Sequence, residues 1–286
     1  MNPTLAQREG QILMCQGLVR DHDFIRYSTA LLSPSEARAG LFALYAFNVE
    51  IGRVREHITQ AMSGEIRMQW WADALAGKAE SEAAGNPVAA ALTGAVEHYQ
   101  LPLDRLTDLI EARRFDLYDD PMPSLAELEV YLHRSAGALF DLSALIVEPA
   151  QAVSDELVRH AGLAQGLTAL VTALPLHALR GQCYLPADLL AQHGIDGSRI
   201  VAGTAGVTNV VGILAARAGD HLREAMTLLA SAPTRSRAAF LPLAMTLNDL
   251  RRLAKLGNDP FRLSPPSRLG TLWTMWRASR SAPFAR

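Results

Sequence analysis

Apolar residues recur along almost the whole chain at the three- and four-residue spacing of a helix. Alternation of apolar and polar residues over several positions, which would indicate a strand, is nearly absent. Clusters of Gly, Pro and Ser separate the helical patterns, and no internal repeat or flexible linker divides them. The pattern predicts an all-α fold, in which the 286 residues form a single domain of long packed helices.

The stretch Leu41–Glu56 has the length and apolar content of a buried helix. Its first seven residues, 41–47, are apolar or aromatic, so we expect core on every side of the helix there. Ser33, Pro34 and Glu36 match an N-cap, a first-turn proline and a capping-box acid, and they predict the helix start. Polar residues begin abruptly at Asn48, and charged residues follow as far as Glu56.

The end of the chain differs in composition from residues 1–260, and we predict a basic, tryptophan-containing tail over residues 261–286. After Asp259 the sequence contains no Asp or Glu. A helix near Thr271–Ser279 would place Trp273 and Trp276 on one face, close to Arg277 and Arg280. Such a segment is typical of contact with a membrane surface or of docking to a partner. Tryptophans packed on the body, with solvated arginines, explain the same composition.

Charge and cysteine content exclude several classes of protein. The 27 Lys and Arg residues and the 29 Asp and Glu residues nearly balance, so we expect no nucleic acid partner. Two cysteines cannot form a disulfide framework, and the first ten residues are polar rather than a signal sequence, so we expect a reducing cytoplasm. No uncharged apolar run reaches the roughly 18–20 residues of a membrane span. Any membrane contact is therefore expected to be peripheral, on the inner (cytoplasmic) membrane.

Several motifs, in order, resemble the squalene/phytoene synthase family. Residues 43–47 read A-L-Y-A-F, the first half of the family helix A-L-Y-A-F-C-R-x-x-D-D-x-x-D. Further similar segments are Arg67–Leu75, Asn86–Val88, Leu109–Leu117, Tyr131 with Ser135–Gly137, and Gly181–Leu190. Any one of them alone is weak evidence. The ordered set implies membership of the family and, with it, the isoprenoid-synthase helical fold.

The resemblance implies two acidic clusters that hold Mg²⁺ against a prenyl diphosphate, and this sequence lacks both. The three Asp positions of the first cluster are Gly52, Arg53 and Glu56, and the segment 161–180, where the second belongs, contains no Asp or Glu. Carboxylate-bound Mg²⁺ would stabilise the diphosphate leaving group. We therefore predict no metal and no cofactor, and Mg²⁺ belongs only to the alternative of an altered but active prenyltransferase.

A divergent branch of the family is more similar to this chain than the synthases are. Phe42–Glu50 and Arg67–Trp71 match the F-A-L-x-A-F-N-V-E and R-M-Q-F-W segments of mitochondrial complex I assembly factors with a squalene/phytoene-synthase domain. This resemblance implies a non-catalytic protein that supports complex I (NADH dehydrogenase) assembly at the membrane. Its expected partners are complex I subunits or assembly intermediates. Two alternatives stay open: a prenyltransferase of isoprenoid, carotenoid or hopanoid biosynthesis, and a protein that binds a prenyl lipid.

Polar residues on the resembling segments are candidates for a remnant pocket, although none is assigned a catalytic role. These candidates are Tyr45, Asn48, Glu56, Tyr131, Gln165, His177 and Tyr184. Packing alone accounts for the tyrosines, and pairing with Arg53 or Arg55 is the ordinary explanation for Glu56. A histidine in an apolar setting, such as His177, is more often a hydrogen-bonded core residue than a ligand.

Overall fold

The computed structural model describes residues 5–197, 200 and 204–285, and these residues form fifteen α-helices and no strand. The prediction of an all-α fold is therefore confirmed. The helices are α1 (Leu5–His22), α2 (Phe24–Leu32), α3 (Arg38–Gly52), α4 (Ala61–Leu75), α5 (Glu80–Gly85), α6 (Pro87–Tyr99), α7 (Leu103–Arg114), α8 (Leu125–Leu132), α9 (Ala138–Val147), α10 (Asp155–Thr172), α11 (Leu174–Leu179), α12 (Ala187–Gln192), α13 (Val207–Ser231), α14 (Pro242–Lys255) and α15 (Arg268–Ala278).

Helix α3 runs through the core, as its composition predicts. Every side chain from Leu41 to Phe47 is at most 4% exposed. The helix packs against α1, α2, α6 and α9, so neighbours cover it on all sides. An all-apolar helix reaches this environment because each of its faces has apolar surface to bury.

The predicted start of α3 is wrong, whereas the helices α6 and α8 do begin at side-chain caps. Ser33 does not cap α3, because its hydroxyl donates to the Thr29 carbonyl inside α2 and Pro34 restricts it to extended backbone. Asn86 does cap α6, accepting from the Val88 and Ala89 amides at 3.0 and 3.1 Å. Ser124 caps α8 in the same way.

Helix α3 also ends earlier than the predicted boundary at Glu56. The α-helix stops at Gly52, and a short 3₁₀ turn, Val54–His57, follows it. Glycine has a low helix propensity, which favours termination at this position. Glu56 therefore lies on a turn rather than on the face of a continuous helix.

A π-helical segment, His133–Gly137, joins α8 directly to α9. The three segments together form one long helix, called here the α8–α9 rod. The neighbouring helix α10 approaches the π-helical segment closely at Gly162. A Cβ atom at Gly162 would lie 2.6 Å from the backbone of Gly137. The contact is possible only because Gly162 has no side chain, and it holds the π segment against α10.

Two clusters of buried apolar residues form the interior. The first surrounds α3, and the second lies around the C-terminal part of α10 together with α12 and α13. The tail contributes to the first cluster through Met275 and Phe284, which are 0% and 4% exposed. A division of the chain at residue 260 stays a prediction, and Arg286 lies outside the described residues.

One described segment is long and apolar enough to cross a membrane by length and composition alone. This segment, Leu125–Val147, corresponds to the α8–α9 rod, and 61% of its most apolar window is buried inside the protein. Arg134 and Asp141 lie within it. This degree of burial is typical of a core helix.

Candidate functional site

A cavity of about 700 Å³ opens between the helices that surround the two apolar clusters. Its walls come from α2, α3, α7, the α8–α9 rod, α10 and the segment around α11. Six of the seven candidate pocket residues line it, and they are Asn48, Glu56, Tyr131, Gln165, His177 and Tyr184. These residues are far apart in sequence, so the cavity is a product of the tertiary fold.

Tyr45, the seventh candidate, lies behind the cavity wall. It is 1% exposed, and its hydroxyl accepts a hydrogen bond from Ser143 Oγ at 3.0 Å. Burial raises the pKa of Tyr45 to about 12, so the phenol is neutral. Its ring centroid lies 5.8 Å from Cζ of Arg26, which does line the cavity and donates to Gln165 Oε1 at 3.0 Å. Tyr45 therefore supports the wall through Arg26.

Glu56 joins the turn after α3 to the segment after α11. Its carboxylate oxygens lie 2.7 Å from Arg53 Nε and 2.9 Å from Arg180 Nη1. Burial alone would raise the pKa of Glu56, but the hydrogen bond from Arg53 and the charges of Arg53 and Arg180 outweigh it and lower the pKa. Pairing with Arg53 was expected from the sequence, whereas Arg55 pairs instead with Asp119 at 3.0 Å. The carboxylate is ionised and shared between two guanidinium groups.

Asp116 is the second carboxylate in the wall, and it was not among the residues predicted to line a pocket. It accepts hydrogen bonds from Arg113 Nη1 at 3.1 Å and from the Tyr131 hydroxyl at 2.9 Å. Tyr184 lies beside this network, and its ring stacks on that of Tyr131 with the centroids 6.3 Å apart. The residue is only 7% exposed. The sequence did contain a hint of this role, because Asp116 belongs to the Asp-Leu pair that ends the family-like segment Leu109–Leu117.

Three buried polar atoms of the cavity wall have no hydrogen-bond partner among the described residues. They are Asn48 Oδ1, Arg113 Nε and His177 Nδ1. Burial lowers the pKa of His177 to about 4, so its ring is neutral near pH 7. Buried polar groups are normally satisfied, so these three atoms indicate that the wall is adapted to water or a ligand.

The wall does not fit the Mg²⁺ clusters that the family resemblance implies. Helix α10 lines the cavity with Gln165, Gly166, Ala169 and Leu170, none of which is an acid. The two carboxylates present, Glu56 and Asp116, are already engaged by guanidinium groups. In the part of the chain that the structure describes, no group of three His, Cys, Asp or Glu side chains could hold a metal ion. The arrangement offers guanidinium groups, where Mg²⁺ needs oxygen ligands.

The four candidate membrane-contact residues lie on or directly after α15. Trp273 and Trp276 stack with ring centroids 5.2 Å apart and are 62% and 38% exposed. The guanidinium carbon of Arg280 lies 4.1 Å from the Trp276 ring centroid, and Arg277 is exposed. The opposite side of the helix is anchored in the body by Met275. The indoles therefore pack on each other and present an aromatic, basic surface to solvent.

The sequence matches the model of the family described as squalene/phytoene synthase over residues 19–277. It is similar to the mouse protein named NADH dehydrogenase (ubiquinone) complex I, assembly factor 6, with 31% identity over 257 residues. That match covers 89% of this chain and 77% of the mouse protein. The phytoene synthase of Thermus thermophilus is 28% identical over 191 residues, which cover 65% of this chain and 63% of that enzyme.

The fold is similar to that of a solved synthase. The crystal structure of squalene synthase HpnC from Alicyclobacillus acidocaldarius superposes with a TM-score of 0.73 and covers 90% of this chain and 98% of that chain. The sequences are 22% identical, so this likeness concerns the fold alone. It confirms the isoprenoid-synthase architecture that the ordered motifs implied.

Proposed function

Because the chain belongs to the squalene/phytoene synthase family, we propose that it has kept the family fold but supports respiratory complex I assembly without catalysing prenyl transfer. The observation that carries this proposal is the likeness to the proteins named assembly factor 6, which spans 89% of the chain at 31% identity for the mouse protein. Complex I subunits or assembly intermediates are the proposed partners.

The composition of the cavity wall supports the absence of prenyl transfer. Departure of a diphosphate leaves several negative charges that must be neutralised in a site shielded from water. The two carboxylates of the wall are held by arginines and are not free to bind Mg²⁺. An arginine-rich wall alone lacks the metal bridge that stabilises the leaving group in the family reaction.

Deletion of the gene tests the assembly role directly. We expect the deletion to lower the amount of assembled complex I, measured on native gels and as NADH oxidation by isolated membranes. Expression of the intact chain should restore both. An unchanged level of assembled complex I would refute the proposal.

A turnover assay tests the absence of prenyl transfer separately. Purified protein with farnesyl or geranylgeranyl diphosphate and Mg²⁺ should release no pyrophosphate above background. If turnover occurs and is abolished by Glu56→Gln, the chain is a prenyltransferase with an altered site. That outcome would favour the isoprenoid, carotenoid or hopanoid alternative.

We propose that the protein acts as a peripheral protein on the inner (cytoplasmic) membrane. The exposed pair Trp273 and Trp276 supports this location, because indoles favour the interface between lipid and water. Arg277 and Arg280 beside them favour an anionic lipid surface.

Binding of a lipid in the cavity is a second candidate role, and it is compatible with assembly of complex I. The cavity volume of about 700 Å³ supports it, since small-molecule sites in proteins span roughly 300–1,000 Å³. A prenyl lipid fits the apolar part of the wall. Lipid found by mass spectrometry in organic extracts of the purified protein would support this role.

A further inference from the structure

We infer that the cavity selects an amphiphile with a single negative charge on its head and binds that head directly through arginine side chains, without a divalent metal. The inference rests on the proposed lipid-binding role of the cavity, and it adds the charge of the ligand and the mode of recognition. It departs from a metal-bridged diphosphate site, whose ligand carries several charges.

In the part of the chain that the structure describes, the charges around the cavity leave one guanidinium without a carboxylate of its own. Four arginines line the cavity, and Arg53 lies next to it against the lining residue Glu56. Three of these five arginines each have a separate acid as partner, namely Arg26 with Asp23, Arg55 with Asp119 and Arg113 with Asp116. The remaining two, Arg53 and Arg180, share Glu56. His22, which lies 2.9 Å from Arg53, contributes no negative charge. The set of five guanidiniums and four carboxylates therefore accommodates one further negative charge.

The excess positive charge lies on the side of the cavity formed by Glu56 and Arg180. The side chain of Arg180 is 43% exposed, so an incoming anion can reach it from solvent. Guanidinium groups bind carboxylate and phosphate oxygens through paired N–H donors, which needs no metal. The buried Nε–H of Arg113, which has no hydrogen-bond partner among the described residues, adds a donor deeper in the wall.

The remainder of the wall suits a hydrocarbon chain. Helix α10 contributes small residues where larger acids would occupy the space, and leucines complete the apolar surface. These residues are Gly166, Ala169, Leu170, Ala173, Leu132 and Leu139. A ligand with an anionic head at Arg180 and an apolar tail against α10 satisfies both parts of the cavity.

The helix that carries His177 also presents exposed leucines. On α11, Leu176 is 47% exposed and Leu179 is 86% exposed, whereas His177 faces the cavity. Apolar side chains in water next to a charged residue such as Arg180 suit contact with lipid. The ligand source that fits this arrangement is a membrane.

A set of ligands with one hydrocarbon chain and different heads tests the selection of charge. Binding of farnesoic acid, farnesol and farnesyl diphosphate to the purified full chain is measured by titration calorimetry in EDTA and again in Mg²⁺. We expect the carboxylate to bind at least about tenfold more tightly than the alcohol, with no effect of Mg²⁺. Equal affinity for the carboxylate and the alcohol would be consistent with lipid binding but would refute the selection of a negatively charged head. Tighter binding of the diphosphate that requires Mg²⁺ would overturn it as well.

Two substitutions in the shared ion pair should act in opposite directions. Arg180→Gln removes the excess charge and should weaken carboxylate binding about tenfold, whereas Glu56→Gln frees two guanidiniums and should strengthen it at least about threefold. Neither should change farnesol binding. Weakening by both substitutions would indicate a purely structural ion pair and refute the inference. The matched control is Arg223→Gln, which removes an exposed arginine paired with Asp220 and should change nothing.

Transfer from vesicles distinguishes a membrane source from a soluble one. Phosphatidylcholine vesicles loaded with farnesoic acid serve as donors, and uptake by the protein is followed over time. Leu179→Ser should slow uptake at least about threefold while leaving the affinity for the dissolved acid unchanged, because only the contact with lipid is lost. Equal uptake rates would refute the membrane source and leave the dissolved acid as the ligand.

Discussion

Asp116 is held in the cavity wall by hydrogen bonds to two neighbouring side chains. It accepts from Arg113 at 3.1 Å and from Tyr131 at 2.9 Å, and Arg113 also donates to the Tyr131 hydroxyl at 2.9 Å. The three side chains form a closed hydrogen-bond network at the C-terminal ends of α7 and α8. In such a network each polar group depends on the others for its hydrogen bonds.

Asp116→Ala should lower the free energy of unfolding by about 3 kcal/mol, because it leaves the guanidinium of Arg113 in the wall without a counter-charge. Urea denaturation of the purified protein measures this change. The control is Asp220→Ala, which breaks an arginine pair at the same three-residue spacing on a surface where both side chains are 70% exposed. The control should have little effect. Equal losses for the two variants would refute the structural role of the network.

His177 makes the stability of the protein depend on pH. Burial lowers the pKa of His177 to about 4, and the unfolded chain has an ordinary histidine pKa of about 6.5. Between these two values the unfolded state binds more protons than the folded state. The contribution of His177 is therefore complete above pH 6.5 and is lost as the pH falls towards 4.

The free energy of unfolding should fall by about 2 kcal/mol from this residue alone between pH 7 and pH 5. Urea denaturation at both pH values measures the loss. His133, His160 and His221 also have lowered pKa values because of burial, and each of them contributes a loss in the same direction. His177→Gln should remove only the part that belongs to His177. An equal pH dependence for the variant and the original chain would contradict this assignment.

At the scale of elements, the contact between α10 and the α8–α9 rod positions the cavity wall. Tyr131 and Ser135 line the cavity from the rod, and Gln165 lines it from α10. A π-helical segment adds a residue to the turn and so redirects the side chains around it. The close approach at Gly162 fixes the spacing between the two elements.

Gly162→Ala should destabilise the protein by about 2 kcal/mol, because the new methyl group would meet the Gly137 backbone, which cannot move aside cheaply. Thermal unfolding followed by circular dichroism measures the change. Gly219→Ala on α13 is the matched control, since a Cβ there meets nothing within 4 Å. It should stabilise the helix by about 0.5–1 kcal/mol. A neutral Gly162→Ala variant would show that the helices can separate without cost.

At the scale of the whole molecule, the surface of α15 is proposed to orient the protein on a membrane. Removal of the whole tail would also remove Met275 and Phe284 from the core, so substitutions on the exposed side are the cleaner test. The double variant Trp273→Ser and Trp276→Ser should reduce binding to anionic vesicles at least about fivefold. Sedimentation with liposomes measures the bound fraction.

Leu103→Ser provides the control for this test, because Leu103 is also exposed, at 44%, but lies on α7 rather than on α15. It should leave vesicle binding unchanged. Replacement of Arg277 and Arg280 by Gln should weaken binding to anionic vesicles and spare binding to neutral ones. If both tryptophan substitutions leave sedimentation unaltered, α15 does not contact lipid.

The helical class, the family and the loss of the acidic clusters all follow from the sequence alone. These properties depend on short stretches of sequence. The apolar residues 41–47 require a helix in the core, and folding cannot supply an acid that is absent from residues 161–180. Local rules failed at Ser33 and at the end of α3. At Ser33, a hydrogen bond to the preceding helix competed with the predicted cap.

The three-dimensional fold was needed to show which polar residues line the same cavity and which charges neutralise one another. Asp116 and Arg180 became part of the site because α7, α10 and α11 converge on the turn after α3. Tyr45 does not line the cavity, because its ring on α3 points towards Ser143 instead. Glu56 pairs with Arg53 at a three-residue spacing, but its pairing with Arg180 joins residues more than a hundred positions apart. Such pairing depends on distances in space, which sequence spacing does not contain.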